Sequence, residues 1–311
     1  MIFPALHEAR LFLQSLHIDL PLYQVLELYM VMGGIPFYLK EAERGKSATH
    51  LIDEICFSEQ GLLSDEYEQL YHSLFRNAEF HVAVVECLAA HPQGLTRSMI
   101  AEKTNIADST LTRTLVELVE CDFISAFQPL LNKKKETIYK LTDLYSLFYL
   151  RFIRDHQGNG LRVWEQLSKE PAYKAWSGYA YENIAMMHLP QIKAALGISG
   201  VFTRHNSWKF KGDEVLPGAQ IDMLIERADQ VIHICEAKFT QESYALNAVG
   251  VEQWRHKKMV FREATKTKKA VFTTLITTYP AVKNRYYIEA VESEVTMEQL
   301  FAPQNSAQPW D

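Results

Sequence analysis

Two apolar runs separated by one short turn, "IDMLI" at 221–225 and "VIHICEAKF" at 231–239, constrain this chain more than any other stretch. Their length and β-branched content predict adjacent strands, with Arg227–Gln230 as the hairpin turn. Three charges interrupt them: Asp222, Glu236 and Lys238. A charge inside an apolar strand is costly unless it is paired or holds a metal. Side chains alternate along a strand, so Glu236 and Lys238 share one face. The hairpin is expected to bring Asp222 opposite Glu236. Two carboxylates at one point repel unless a divalent cation lies between them, and such hard oxygen donors suit Mg²⁺ or Mn²⁺. An ion of this kind, with a lysine beside it, activates water and stabilises charge on a phosphate. Glu182, on the helical "YAYENIA", is a further candidate carboxylate. Gln253, on the helix expected at 246–264, either faces the site or is plainly exposed. The alternative is a structural ion pair, with Lys238 neutralising Glu236 and Asp222 capping a turn.

The preceding residues have another rhythm. Residues 5–76 read as helices, and "LYQVLELYMVM" stops at Gly33-Gly34-Ile35-Pro36. Ser64 is a partial capping signal for a helix over 64–76. Over 79–141 come three helical runs, the second placed for capping by Thr96, and then two strand-like runs around Lys133-Lys134-Lys135. Three helices followed by a hairpin is the order of a winged helix-turn-helix. Its recognition helix is expected at 107–120, with Ser109, Thr110, Thr112 and Arg113 in its N-terminal half. The Lys133–Lys135 wing would meet phosphates. Packing or protein interaction is the competing role for such a module. Residues 142–195 are helical and aromatic-rich, and strands are expected at 201–206, 219–227, 230–239 and 270–277. The fold class is therefore α+β and multidomain.

Composition narrows the function. The formal net charge is −6, so no global basic field points to nucleic acid, and DNA contact must come from local patches. The four cysteines are scattered without a CxxC pair, which argues against a zinc site or a disulfide framework. No apolar run reaches membrane-helix length and no signal peptide opens the chain, so a soluble cytoplasmic protein is expected. Gly45-Lys46-Ser47 ends like a P-loop, but Lys40 stands where the first glycine belongs. ATP binding is not expected there, and Gly45 reads instead as a helix C-cap.

Helix with Glu182, strand with Asp222, strand with Glu236-Ala237-Lys238, helix and strand together resemble the PD-(D/E)xK, or restriction endonuclease-like, superfamily over roughly residues 175–290. Ile221 stands where the family commonly has proline. The resemblance implies a restriction endonuclease-like α/β domain, with Asp222 and Glu236 on the metal and Lys238 assisting the attacking water. The longer order, "YMVMGGIPFYL", winged helix, then "IDMLI…CEAKF", resembles the C-terminal part of archaeal-type AAA ATPases. It implies a lid-like helical segment at 1–76, a winged helix with a following helix at 77–155, a nuclease-like domain at 156–302 and a tail at 303–311. The ATPase core of such proteins has no counterpart in this sequence. The expected partners are thus DNA and an ATPase core supplied in cis or in trans, for a chain that is a metal-dependent DNA endonuclease or a degenerate binding and regulatory module. The sequence does not specify an oligomeric state.

Overall fold

The computed structural model describes residues 4–128, 137–156 and 162–303 and, of Asp222, the backbone. The chain divides into two compact units, Met1–Phe127 with Glu136–Asn183, and Gln128–Lys135 with Ile184–Asp311. The division falls at 183, so residues 162–183 group with the first unit and not with the strands that the resemblance joins them to.

In the first unit, α1 (Leu6–Ser15) and α2 (Leu22–Met32) bury their apolar faces. Gly33 ends α2 in the left-handed region at φ 64°, the conformation that glycine adopts without a Cβ penalty. Short α3 (Pro36–Leu39) and α4 (Ala48–Ile52) follow, then a π-helical stretch at Asp53–Phe57 and α5 (Glu66–Leu74). The Ser64 cap does not form, because its hydroxyl donates back to the Gly61 carbonyl at 2.8 Å. Gly45 is not a helix C-cap either: α3 is capped by Lys40, and Gly45 sits in a turn at φ 81°. Lys46 pairs with Glu43 and Glu54 at 2.7 and 2.6 Å, and Ser47 caps α4 by accepting from the His50 N–H.

The winged-helix order then appears: α6 (Ala78–Ala89), β1 (Leu95–Thr96), α7 (Arg97–Thr104), α8 (Asp108–Glu120), β2 (Ile124–Phe127) and β3 (Ile138–Leu141). The three strands form an antiparallel sheet in the order β1-β3-β2, with Leu95 opposite Tyr139 and Phe127 opposite Ile138. Thr96 caps α7 through Met99 N–H, and Asn105 closes it in the left-handed conformation. Gly94 permits the approach of β3, since a Cβ there would lie 2.5 Å from Ile138 Cγ2. The unit closes with α9 (Leu144–Phe148), a π-helical stretch at Tyr149–Ile153, α10 (Val163–Leu167) and most of α11 (Pro171–Met187). Aromatic rings fill the space between them: Tyr67 stacks on Tyr149 with centroids 4.3 Å apart, and Trp164 meets Phe148 edge-on at 5.0 Å.

The second unit is a five-stranded sheet, β4 (Thr203–Phe210), β5 (Ala219–Arg227), β6 (Val231–Lys238), β7 (Ala270–Thr277) and β8 (Ser293–Thr296), in sequence order. β4, β5 and β6 are antiparallel, whereas β6, β7 and β8 are parallel. The parallel β6–β7 pair requires a crossover, and the helix expected at 246–264 supplies it as α13 (Ala248–Thr265). The smaller helices are α12 (Leu189–Ala195), α14 (Arg285–Ala290) and α15 (Met297–Leu300). Ile221, Leu224, Ile234, Leu275, Trp254 and Phe261 belong to the core between sheet and helices. Strand β8 had no counterpart in the sequence reading; it has only four residues, and Ser293, Glu294 and Thr296 flank its one apolar residue, Val295. No helix among the described residues is long and apolar enough to cross a membrane.

Candidate nucleic-acid interface and strand-end site

Helix α8 turns Leu111, Thr114, Leu115 and Leu118 into the first unit. Three-residue spacing therefore leaves Ser109, Thr112 and Arg113 exposed, with Thr110 half-buried. Not all of these groups are open to a ligand. The Thr112 hydroxyl donates to the Asp108 carbonyl at 2.9 Å and accepts from the Arg97 guanidinium at 2.8 Å. Arg97 also meets the Asp108 carboxylate at 2.7 Å, so it ties α7 to the start of α8. The Thr112 hydroxyl is thus engaged within the module, and Arg97 is a basic group that the sequence reading missed. Arg113 lies 3.7 Å from Glu117, a loose pair on an exposed face. Lys133, Lys134 and Lys135 fall outside the described residues.

Residues 82–126 match the IclR helix-turn-helix domain, a span that starts inside α6 and ends inside β2. The chain therefore carries a helix-turn-helix of a DNA-binding class, and the strands around it fit a winged helix. Comparison of the chain with curated proteins and with solved structures finds no match.

At the end of β6, Glu236 and Lys238 do share a face, and their charged ends lie 2.5 Å apart. A third group joins them. Lys257, one helical turn beyond Gln253 on α13, places its Nζ 3.0 Å from the other Glu236 oxygen. Gln253 itself is exposed. Burial alone would raise the Glu236 carboxyl, but Lys238 and Lys257 outweigh it and hold the acid below its ordinary range. Glu236 is therefore ionised at neutral pH. Lys238 also lies 5.9 Å from the Tyr244 ring centroid. The last paired rung between β5 and β6 is Met223 opposite Cys235, and the next residues outward are Asp222 and Glu236. Glu182 lies half-buried on α11, within the first unit.

The donor chemistry can be tested against a divalent cation. Among the described residues, no three His, Cys, Asp or Glu side chains converge as metal ligands. Each oxygen of Glu236 already has its own ammonium partner. Two ammonium groups beside one carboxylate offer donors to a phosphate oxygen, with Asp222 the register neighbour of Glu236. A cation at Glu236 must displace an ammonium group and recruit oxygen from elsewhere.

Proposed function

We propose that this chain is a DNA-binding module, with the winged helix on duplex DNA and a nuclease-like, phosphate-facing site in the second unit. The observation that carries the reading is the match of 82–126 to a helix-turn-helix, within which α8 offers Ser109 and Arg113 to solvent. The acidic net charge makes contact depend on local groups, here Arg97, Arg113 and the Lys133–Lys135 segment. The resemblance to the C-terminal part of archaeal-type AAA ATPases supplies the partner, an ATPase core in cis or in trans. In that setting 1–76 corresponds to the lid-like segment. Fluorescence anisotropy with a labelled duplex over a salt series tests the reading. Affinity should fall steeply with salt, with a slope of about 0.9 per phosphate contacted. A salt-independent affinity would refute it.

A second reading is favoured by the strand register, which makes Asp222 and Glu236 the next positions beyond the Met223–Cys235 rung. In it Asp222 and Glu236 would hold Mg²⁺ or Mn²⁺, which would supply Lewis-acid activation of water, and Lys238 would stand beside the attacking oxygen. Glu182 is the accessory carboxylate of that scheme. The test is Mn²⁺-dependent nicking of supercoiled DNA, abolished in Glu236→Gln and much reduced in Lys238→Ala. DNA binding without metal-dependent cleavage leaves the first reading standing and removes the second.

A further inference from the structure

The first unit contains a cavity of about 420 Å³ with a composition that defines a ligand. Its floor is Leu147, Leu150 and Trp176, all nearly buried, and the exposed Ala175 gives it an open wall. The rim carries charge. Arg154 is 3.1 Å from Glu86 and largely neutralised, whereas Arg151 makes no ion pair with a described residue. The site is therefore apolar below and singly positive above. Trp176 is 7% exposed, and its indole N–H has no acceptor among the described residues. Its ring is surrounded edge-on by Phe148, Phe152 and Trp164, none of which can accept a conventional hydrogen bond. A buried donor left unmade costs about 1–3 kcal/mol. The volume falls within the roughly 300–1,000 Å³ range of small-molecule pockets.

We propose that this cavity binds an amphipathic carboxylic acid. The apolar body rests on Leu147, Leu150 and Trp176, and the carboxylate meets Arg151. The inference is independent of the DNA reading, although Glu86 at the rim belongs to α6, the helix in which the helix-turn-helix match begins. The experiment uses the full chain, with 4-phenylbutyrate and octanoate as probes and 4-phenylbutanol and octan-1-ol as neutral counterparts. Calorimetry and tryptophan fluorescence follow the titrations. One saturable site is expected for at least one acid, at least tenfold weaker for its alcohol and for Arg151→Ala. Ala175→Trp, at an exposed wall position that can take a larger side chain, should abolish binding without changing the circular dichroism spectrum. Failure of both acids to saturate at millimolar concentration would overturn the proposal. So would equal binding of the alcohols, or unchanged binding in Ala175→Trp.

Discussion

The exposed face of α8 and the end of β6 carry polar chemistry in opposite ways. On the exposed face of α8, Thr112 is held by Asp108 one turn back and by Arg97 of α7, and Arg113 by Glu117 one turn on. On β6 a half-buried carboxylate is held by one lysine two residues away and another 21 residues away on a separate helix. Locally held groups on a solvent face can change partner at little cost. Groups gathered by the tertiary fold cannot, because removing one leaves the others uncompensated. The first arrangement suits a surface that meets a polyanion, and the second suits a fixed site.

Four measurements would break or sharpen that contrast. The largest effect is expected at Glu236. Glu236→Ala leaves Lys238 and Lys257 facing each other and should destabilise the second unit by roughly 2–3 kcal/mol, below the range for fully buried pairs because the lysines are partly solvated. Urea unfolding read by hydrogen exchange within β6 and β7 checks this; a change below about 0.5 kcal/mol would class the cluster with surface pairs. Next comes Gly94→Ala, which forces φ 82° on alanine and drives its methyl against Ile138 and the Tyr139 carbonyl. A loss of about 2 kcal/mol is expected in the first unit, from left-handed strain and the clash.

The third measurement sets the units against each other by pH. In the second unit, burial lowers His188 and His233 to about 4. Their unfolded forms protonate from about pH 6.5, so stability present above that pH is lost as pH falls toward 4. His233 supports the neutral form structurally, accepting from Arg227 at one nitrogen and leaving the other for Thr274 at 2.8 Å. In the first unit the sign reverses. Burial raises Glu27 to about 7 and also raises Asp53 and Asp143, so the native state binds protons more tightly than the unfolded chain. Acidifying from pH 7 to 5 should therefore raise hydrogen-exchange protection factors, corrected for the intrinsic rate, in the first unit and lower them in the second, by on the order of 1–2 kcal/mol each. A common direction in both units would contradict the assignment. The smallest effect is Arg113→Ala. It should leave stability within about 0.5 kcal/mol yet flatten the DNA salt slope by about 0.9.

How much of this was legible in the sequence follows the same division. The helix-turn-helix could be read because its signals are local: Thr96 caps α7, Asn105 stops it, and the apolar spacing of α8 sets its buried face. The β5–β6 hairpin and the shared face of Glu236 and Lys238 follow from alternation and one short turn. Lys257 was invisible, since its approach to Glu236 depends on how α13 crosses the sheet, and Gln253 one turn earlier has the same helical phase. The boundary at 183 was equally hidden. It rests on contacts such as Tyr179 and Asn183 donating to the Leu141 carbonyl, each at 3.2 Å, which no composition shift announces. Gly45 misled because a glycine after a short helix resembles a cap, while here three ion-paired residues, Glu43, Lys46 and Glu54, shape the turn.

The Asp53 carboxylate accepts the backbone N–H of Trp164 at 2.6 Å, across 111 residues of sequence. Tyr145 likewise donates to the Leu63 carbonyl, and Tyr71 bonds Ser146, spanning 82 and 75 residues. The winged helix is thus threaded between two halves of one aromatic core. A chain made from its N-terminus cannot close that core until residue 164 has emerged, whereas the helix-turn-helix, built from short-range contacts, can form while the earlier helices still wait. Order of synthesis and order of folding therefore differ in this unit.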